Sequence, residues 1–337
     1  MPQSAWMTTV VRVTAVTVLV SAAGAWWLAG PAGAATAITV AADGSGNYTT
    51  IQAAVAAATS GTVITIKAGT YRGQVSIPAA KSGITLQGAT GTSSDIVITG
   101  NVPQSTGGVT GSATVLNMAA GTTIKGLTMA NTYGAGSQAL ALYAGGDRQV
   151  YRNVRILGYQ DTLLSWGGTG SAQVRQYVYK SYIEGAVDFI YGNGSLVIDS
   201  TTIRSLDLGS SNNGFITAAA TNASNAYGIL ITRSTLQSSA AAKTVALGRC
   251  WHAGGAADAI GQVLVRDSTL GGHIRQAGAW QDMSGFSWKT CRFSEYHNSG
   301  AGATQGTADR PQLSDSTAAN YTSQKYLAGR DGWNPVQ

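Results

Sequence analysis

From Val63 onward the chain alternates short apolar, β-rich segments with Gly, Ser, Asn and Thr. Residues 63–66, 84–86, 96–98 and 122–129 are the first of these segments. Runs this short, closed off by turn residues, predict strands rather than helices. A recurring unit then appears: an apolar pair, a polar or charged residue, a Ser, Asn or Thr, and a closing apolar residue. Copies occupy residues 150–156, 178–183, 197–203, 231–236, 265–270 and 287–293. Measured between Asn153, Ser181, Ser200, Ser234, Ser268 and Thr290, the copies lie roughly 20 to 35 residues apart, a solenoid-like period with loops of unequal length.

No run of helices alternates with these strands, which argues against α/β barrels and doubly wound sheets. Two-residue hairpin signals are too few for an antiparallel sandwich. The pattern predicts an all-β fold, a single-stranded right-handed parallel β-helix. Apolar side chains stack inward, and Asn, Ser and Thr stack at corners where backbone groups need partners. One helix precedes the strands, over residues 51–58. It is capped by Thr49 or Thr50, rich in alanine and followed by Gly61, so it reads as a plug on the end of the coil. Past Glu295 the repeat fades. Residues 298–320 read as polar loop, and 321–333 as a short helix or a segment wrapping back along the solenoid.

Residues 1–34 carry an export pattern. Arg12 precedes the apolar run 13–28, and Ala32-Gly33-Ala34 offers small residues for cleavage, as does Ala35-Thr36-Ala37. Expected domains are therefore a signal peptide at 1–34 and one β-helix domain at 35–337, secreted, extracellular and free of the membrane once cleaved. Charged residues are only 11% of the chain, so Ser, Thr, Asn, Gln and Gly must cover its surface. The net charge of +6 favours an acidic polymer as partner. Scattered Lys and Arg without a basic run argue against nucleic acid. An exported chain permits a disulfide between Cys250 and Cys291, although two cysteines alone do not establish that they meet. No CxxC spacing or His/Cys cluster suggests zinc.

Two acidic residues stand out, because acidic side chains are scarce, 15 in 337. Asp161 lies in Gly158-Tyr-Gln-Asp-Thr-Leu-Leu164, and Asp188 in Gly185-Ala-Val-Asp-Phe-Ile-Tyr-Gly-Asn-Gly194. A carboxylate among Phe, Ile, Leu and Tyr is disfavoured in its charged form unless a cation or a reaction requires it. No Gly-x-Ser-x-Gly elbow occurs, and the only histidines are His252, His273 and His297, so a Ser-His-Asp route has little support.

Five separated segments resemble those of the pectin methylesterases (pectinesterases). They are Asp43-Gly-Ser-Gly46 with Tyr48, Thr50 and Ile51; the glutamine segment 136–142; the aspartate segments 158–163 and 187–193; and Leu247-Gly-Arg-Cys-Trp251. Their order is the family's order, across about residues 39–335. Cys250 stands where the family usually has proline, Tyr191 where phenylalanine is common, and Met283 ends a segment otherwise close to a family aromatic one. The resemblance implies a secreted esterase of parallel β-helix fold that removes galacturonate methyl esters from pectin, as a monomer, with no metal and no organic cofactor. By that resemblance Asp188 is the nucleophile, Arg249 its partner, and Asp161 the acid that protonates methanol and then the base that activates water. Gln138 and Gln160 would donate to the oxyanion. Gln138, Tyr191, Arg249, Trp251 and Met283 would contact substrate.

Other readings of the same residues remain open. Asp161 could cap a turn, Asp188 and Arg249 could be a structural ion pair, and the glutamines could be ladder amides of the solenoid. Tyr191, Trp251, Trp280 and Trp166 could be core aromatics, although Trp251 beside Arg249 suits sugar stacking. A glycosidase on the same solenoid would be expected to show a larger Asp cluster, and a calcium-dependent lyase several gathered carboxylates. A non-catalytic carbohydrate-binding solenoid leaves the two Asp and the Arg without a role. The Asn-x-Ser/Thr sequences at Asn47, Asn193, Asn222 and Asn320 are what this composition produces by chance.

Overall fold

The structure is a computed structural model that describes residues 37–169 and 173–336. The expected signal at 1–34 lies outside the described residues. From Val63 on, the chain winds through three sheets in rotation, one strand per sheet per coil, as in Gln149–Arg152, Arg155–Leu157 and Leu163–Ser165. Among the described residues the first sheet has ten strands and the other two have eight each, all paired in parallel with their neighbours in adjacent coils. This is the expected parallel β-helix.

Each strand buries alternate side chains, and the register stacks them coil upon coil. One column runs from Ile64 through Leu86, Ile124, Tyr151, Val178 and Ile198 to Ile231 and Val265. All are fully buried. Each aliphatic member contributes roughly 1.5–3 kcal/mol of burial. The column ends on Glu295, the register partner of Val265. Its carboxylate is buried against Arg310, whose guanidinium also donates to the carbonyls of Arg275 and Gly302. A buried charge at the last coil is tolerable because it is both paired and hydrogen-bonded.

The corner between the first and second sheets is made by one residue in the left-handed region: Asn153, Lys180, Ser200, Arg233, Asp267 and His297, with φ between 46° and 51°. The next residue builds a ladder. The Val154 amide donates to Ser181 Oγ, Ser181 to Thr201 Oγ1, Thr201 to Ser234 Oγ, Ser234 to Ser268 Oγ, and Ser268 to Asn298 Oδ1. Corner amides that no strand can satisfy are thus satisfied by side chains from the next coil.

Three expectations shift here. The ladder runs one residue beyond Asn153 and Ser200, and Thr290 is not part of it. Residues 287–293 are not a repeat copy: Trp288–Thr290 is a short 3-10 turn capped by Ser287, and the strand is Arg292–Tyr296. Cys250 and His252, two residues apart, and the distant Cys291 place their ligand atoms within 4.8 Å of one another, a cluster their spacing does not suggest. The two sulfurs are joined as a disulfide.

Helix α1 (Ile51–Ala57) is capped by the Thr50 side chain, which accepts from the Ala53 amide, and buries Ile51, Ala54 and Val55 over the first strands. Helix α2 (Gln104–Ser112) was not expected; it is interrupted at Gly108, whose φ of 64° ends one turn and starts another. Helix α3 (Asp315–Ala318) falls inside the expected polar loop. Helix α4 (Ser323–Ala328) wraps back, burying Tyr326 and Leu327 on the outer face of the first sheet against Tyr177, Val197, Leu230 and Leu264. Arg175 fastens this tail by pairing with Asp147 and Asp331 and donating to the Leu327 carbonyl.

Candidate active site

The outer face of the third sheet forms the floor of a groove of about 630 Å³. Its central row follows the register: Tyr143, Leu164, Tyr191, Ala218 and Arg249 are successive partners across five strands. Tyr143, Leu164, Tyr191 and Ala218 pack together with the partly buried Trp166 and Trp251. The floor is therefore apolar and aromatic, with one guanidinium at its end.

The carboxylates reach the groove through irregular backbone. In strand Val187–Gly192, Val187 pairs with Phe215 but Ile190 pairs with Thr217, leaving Asp188 and Phe189 opposite Ile216 alone. This bulge re-aims a side chain. Asp188 has φ 48°, turns outward, and leaves Phe189 fully buried in the core. Gly185 makes room for that turn, since a Cβ there would lie 2.2 Å from the Phe189 Cβ. One coil earlier Asp161 has φ 64° and donates its amide to the Val187 carbonyl. Gln160 bridges Val187, and Ala139 donates to the Gln160 carbonyl, so the Gln138, Gln160–Asp161 and Asp188 segments lie in successive coils.

Asp188 is 4% exposed and accepts two bonds from Arg249, Nε to Oδ1 at 2.8 Å and Nη2 to Oδ2 at 2.5 Å. The guanidinium also lies over the Phe215 ring, 4.2 Å from its centroid. Burial holds the Asp188 carboxyl above its ordinary value, and the bidentate arginine opposes that rise without reversing it. Asp161 has no such partner. Desolvation first and the Asp188 charge second push it up to about 7, against weaker opposing pulls from Tyr191 and Arg249. Of the two neighbouring carboxyls, Asp188 alone is held by a cation, and Asp161 is the one left without.

All eight residues singled out from the sequence, Gln138, Gln160, Asp161, Asp188, Tyr191, Arg249, Trp251 and Met283, line this one groove. The Asp161 carboxylate makes no turn-capping bond among the described residues. The glutamine ladder of the solenoid lies elsewhere: Gln149 donates to Asn117 and Ala119, and Gln176 to Ala144 and Gly146. Gln138 and Gln160 donate no side-chain hydrogen bond among the described residues, so their amides face the groove unengaged. Trp166 joins the wall, 5.8 Å from Trp251, whereas Trp280 is core, 1% exposed and packed on Phe293. Tyr143, Leu164 and Asp258 also line the groove without being singled out from the sequence, as do Asn193 and Asn222, read there only as chance Asn-x-Ser/Thr sequences. Only the register, which places Tyr143 and Leu164 in the row of Tyr191, could have found the first two.

The chain matches the Pectinesterase family model over residues 37–330. It is 33% identical to a pectinesterase of Ralstonia solanacearum, covering 78% of this chain and 79% of that protein. It is 34% identical to a pectinesterase of Daucus carota, covering 87% and 93%. Among solved structures, a pectin methylesterase in complex with a hexasaccharide superposes with a TM-score of 0.78 at 29% identity, covering 89% of this chain and 98% of that one. The pectin methylesterase from carrot superposes with a TM-score of 0.75 at 31% identity, covering 89% and 97%. On this match of fold and sequence along nearly the whole described chain, the chain belongs to the pectinesterase family of carboxylic ester hydrolases.

Proposed function

We propose that the chain is an exported, monomeric pectin methylesterase that hydrolyses galacturonate methyl esters by way of two aspartates. The observation that carries this reading is the unequal treatment of two carboxyls in one groove: Asp188 held by Arg249, Asp161 raised to about 7. Asp188, kept charged by its arginine, attacks the ester carbonyl. The tetrahedral oxygen takes hydrogen bonds from the Gln138 and Gln160 amides, each such donor contributing on the order of 3 kcal/mol. Asp161 gives its proton to the departing methoxide, leaving methanol and an acyl-enzyme. The same carboxylate then takes a proton from water, which attacks the acyl carbonyl and frees Asp188 and the galacturonate.

Two further observations support the setting. The aromatic floor and the pair Trp166–Trp251 suit the apolar faces of sugar rings. The Cys250–Cys291 disulfide suits an oxidising compartment, and so export. Methanol release from highly esterified pectin tests the reading. Asp188→Asn should lose at least about 10⁴-fold in kcat while still binding the polymer. A variant retaining a tenth of the activity would remove Asp188 as nucleophile.

A further inference from the structure

The groove and the opposite edge of the solenoid carry contrasting charge. The acidic and basic side chains lining the groove are Asp161, Asp188, Asp258 and Arg249, and Arg249 is already held by Asp188. An anionic polymer therefore finds no free cation there. On the edge where the first sheet turns into the second, away from the third sheet, Lys125, Arg152, Arg155 and Lys180 stand on three successive coils. Lys125 and Arg152 are direct register partners, like charges side by side, which weakens a sheet unless something answers them.

No carboxylate among the described residues answers them. Among the described residues none of the four forms an ion pair or donates a side-chain hydrogen bond. The acids at this edge are engaged elsewhere: Glu184 with Arg204 and the Tyr182 hydroxyl, and the fully buried Asp199 with Arg233 and Tyr177. Asp95, exposed on a nearby loop, makes no ion pair. Tyrosine rings support the cations instead. Arg155 lies 4.4 Å from the Tyr182 ring, and Arg152 and Lys180 lie 5.4 and 5.3 Å from Tyr179. This support orders the stems while leaving the donors open to solvent. Successive coils repeat at the strand spacing of about 4.8 Å, so the four charges run along the solenoid axis. A linear polymer with a carboxylate on every sugar presents its charges in the same one-dimensional way.

We propose that this edge is a second binding site, for de-esterified polygalacturonate, the polymer left by the reaction; it rests on the pectin methylesterase reading. A chain that has lost its esters leaves the carboxylate-lined groove and is held on the far edge, keeping the enzyme on the polymer beside stretches still esterified.

The test measures binding of ester-free polygalacturonate to the full chain at low and moderate salt, alongside methanol release from a methyl-esterified trigalacturonate. The trimer is too short to bridge the two sites, so it reports the groove alone. Wild-type binding should weaken as salt rises. The variant K125Q/R152Q/R155Q/K180Q should bind at least about tenfold more weakly, with a shallower salt dependence, and K125Q/K180Q, which changes only exposed side chains, about threefold. Trimer turnover should stay within about twofold in both. Equal affinity in wild type and K125Q/K180Q would overturn the proposal, as would heparin or DNA binding more tightly than polygalacturonate through the same side chains. If no protein released methanol yet polymer binding still fell with the substitutions, the esterase reading would fail and the anionic edge would stand.

Discussion

Left-handed backbone serves opposite ends at two places in this solenoid. Between the first and second sheets it recurs coil after coil, at Asn153, Lys180, Ser200, Arg233, Asp267 and His297, whatever the side chain. The residue after it is tied to the next coil by the hydroxyl ladder, so the corner is satisfied and repetitive. On the way into the third sheet it occurs at Asp161, at Lys243 and, as the second residue of its strand, at Asp188; at the two aspartates, in adjacent coils, the side chain is the point. One corner closes hydrogen bonds; the other turns carboxylates out of the core into a groove that only Arg249 neutralises. A non-glycine residue at positive φ costs of order 1 kcal/mol or more, and at the second corner the gain is chemical rather than structural.

Substitutions can pull the two corners apart. The largest effect is expected at Arg249. Arg249→Ala strands a nearly buried Asp188 without its cation, so the carboxyl should take up a proton near neutral pH and kcat should fall by about 10³-fold or more, with a stability loss of about 3–5 kcal/mol by denaturant titration. Next comes Gln160→Ala. Its amide holds no other described partner, so kcat should drop about 10²-fold while the melting temperature stays nearly constant. A fall in both would make Gln160 a scaffold amide like Gln149 or Gln176.

At the repetitive corner the pattern should invert. Ser234→Ala removes both the hydroxyl that accepts from the Thr201 amide and its own bond to the Thr232 carbonyl. It should cost about 1–3 kcal/mol of stability, with kcat within twofold on whatever fraction is folded. A separate effect, read as pH-dependent stability, is expected through Asp161. Its folded-state pKa, about 7, lies above the ordinary carboxylate value of 3.8, so the folded protein binds the extra proton between those limits. That contribution is fully present below about pH 4 and is lost as pH rises through 7. Asp161→Asn should therefore raise the melting temperature at pH 8 more than at pH 4, while abolishing methanol release at both.

The sequence makes the coil and the site legible for different reasons. Short apolar runs with Ser, Thr and Asn between them predict stacked strands because inward-facing columns need little more than that alternation. Corner phase is another matter: Asn153 and Ser200 look like ladder residues but are the left-handed positions just before it. Only paired strands distinguish the two. The last coil is misread because Ser287 caps a 3-10 turn where the apolar spacing suggests a strand. Helix α2 is hidden by Gly107, Gly108 and Gly111, residues that argue against any helix until the chain is seen to break at Gly108. In the site, the polar residues announce themselves by sitting in apolar or glycine-rich runs. Tyr143 and Leu164 do not, because each is an ordinary strand residue that becomes floor only when register sets it beside Tyr191.

The central claim is that Asp161 and Asp188 share one poorly solvated pocket and that Asp161 holds the proton. Titrating the Asp161 side-chain carboxyl by ¹³C NMR, in the wild type and in Asp188→Asn, tests it directly. The account predicts a midpoint near 7 in the wild type and a clearly lower one in the variant, where the neighbouring charge is gone. A midpoint near 4 in both proteins would place the two carboxyls in separate, solvated surroundings and contradict it.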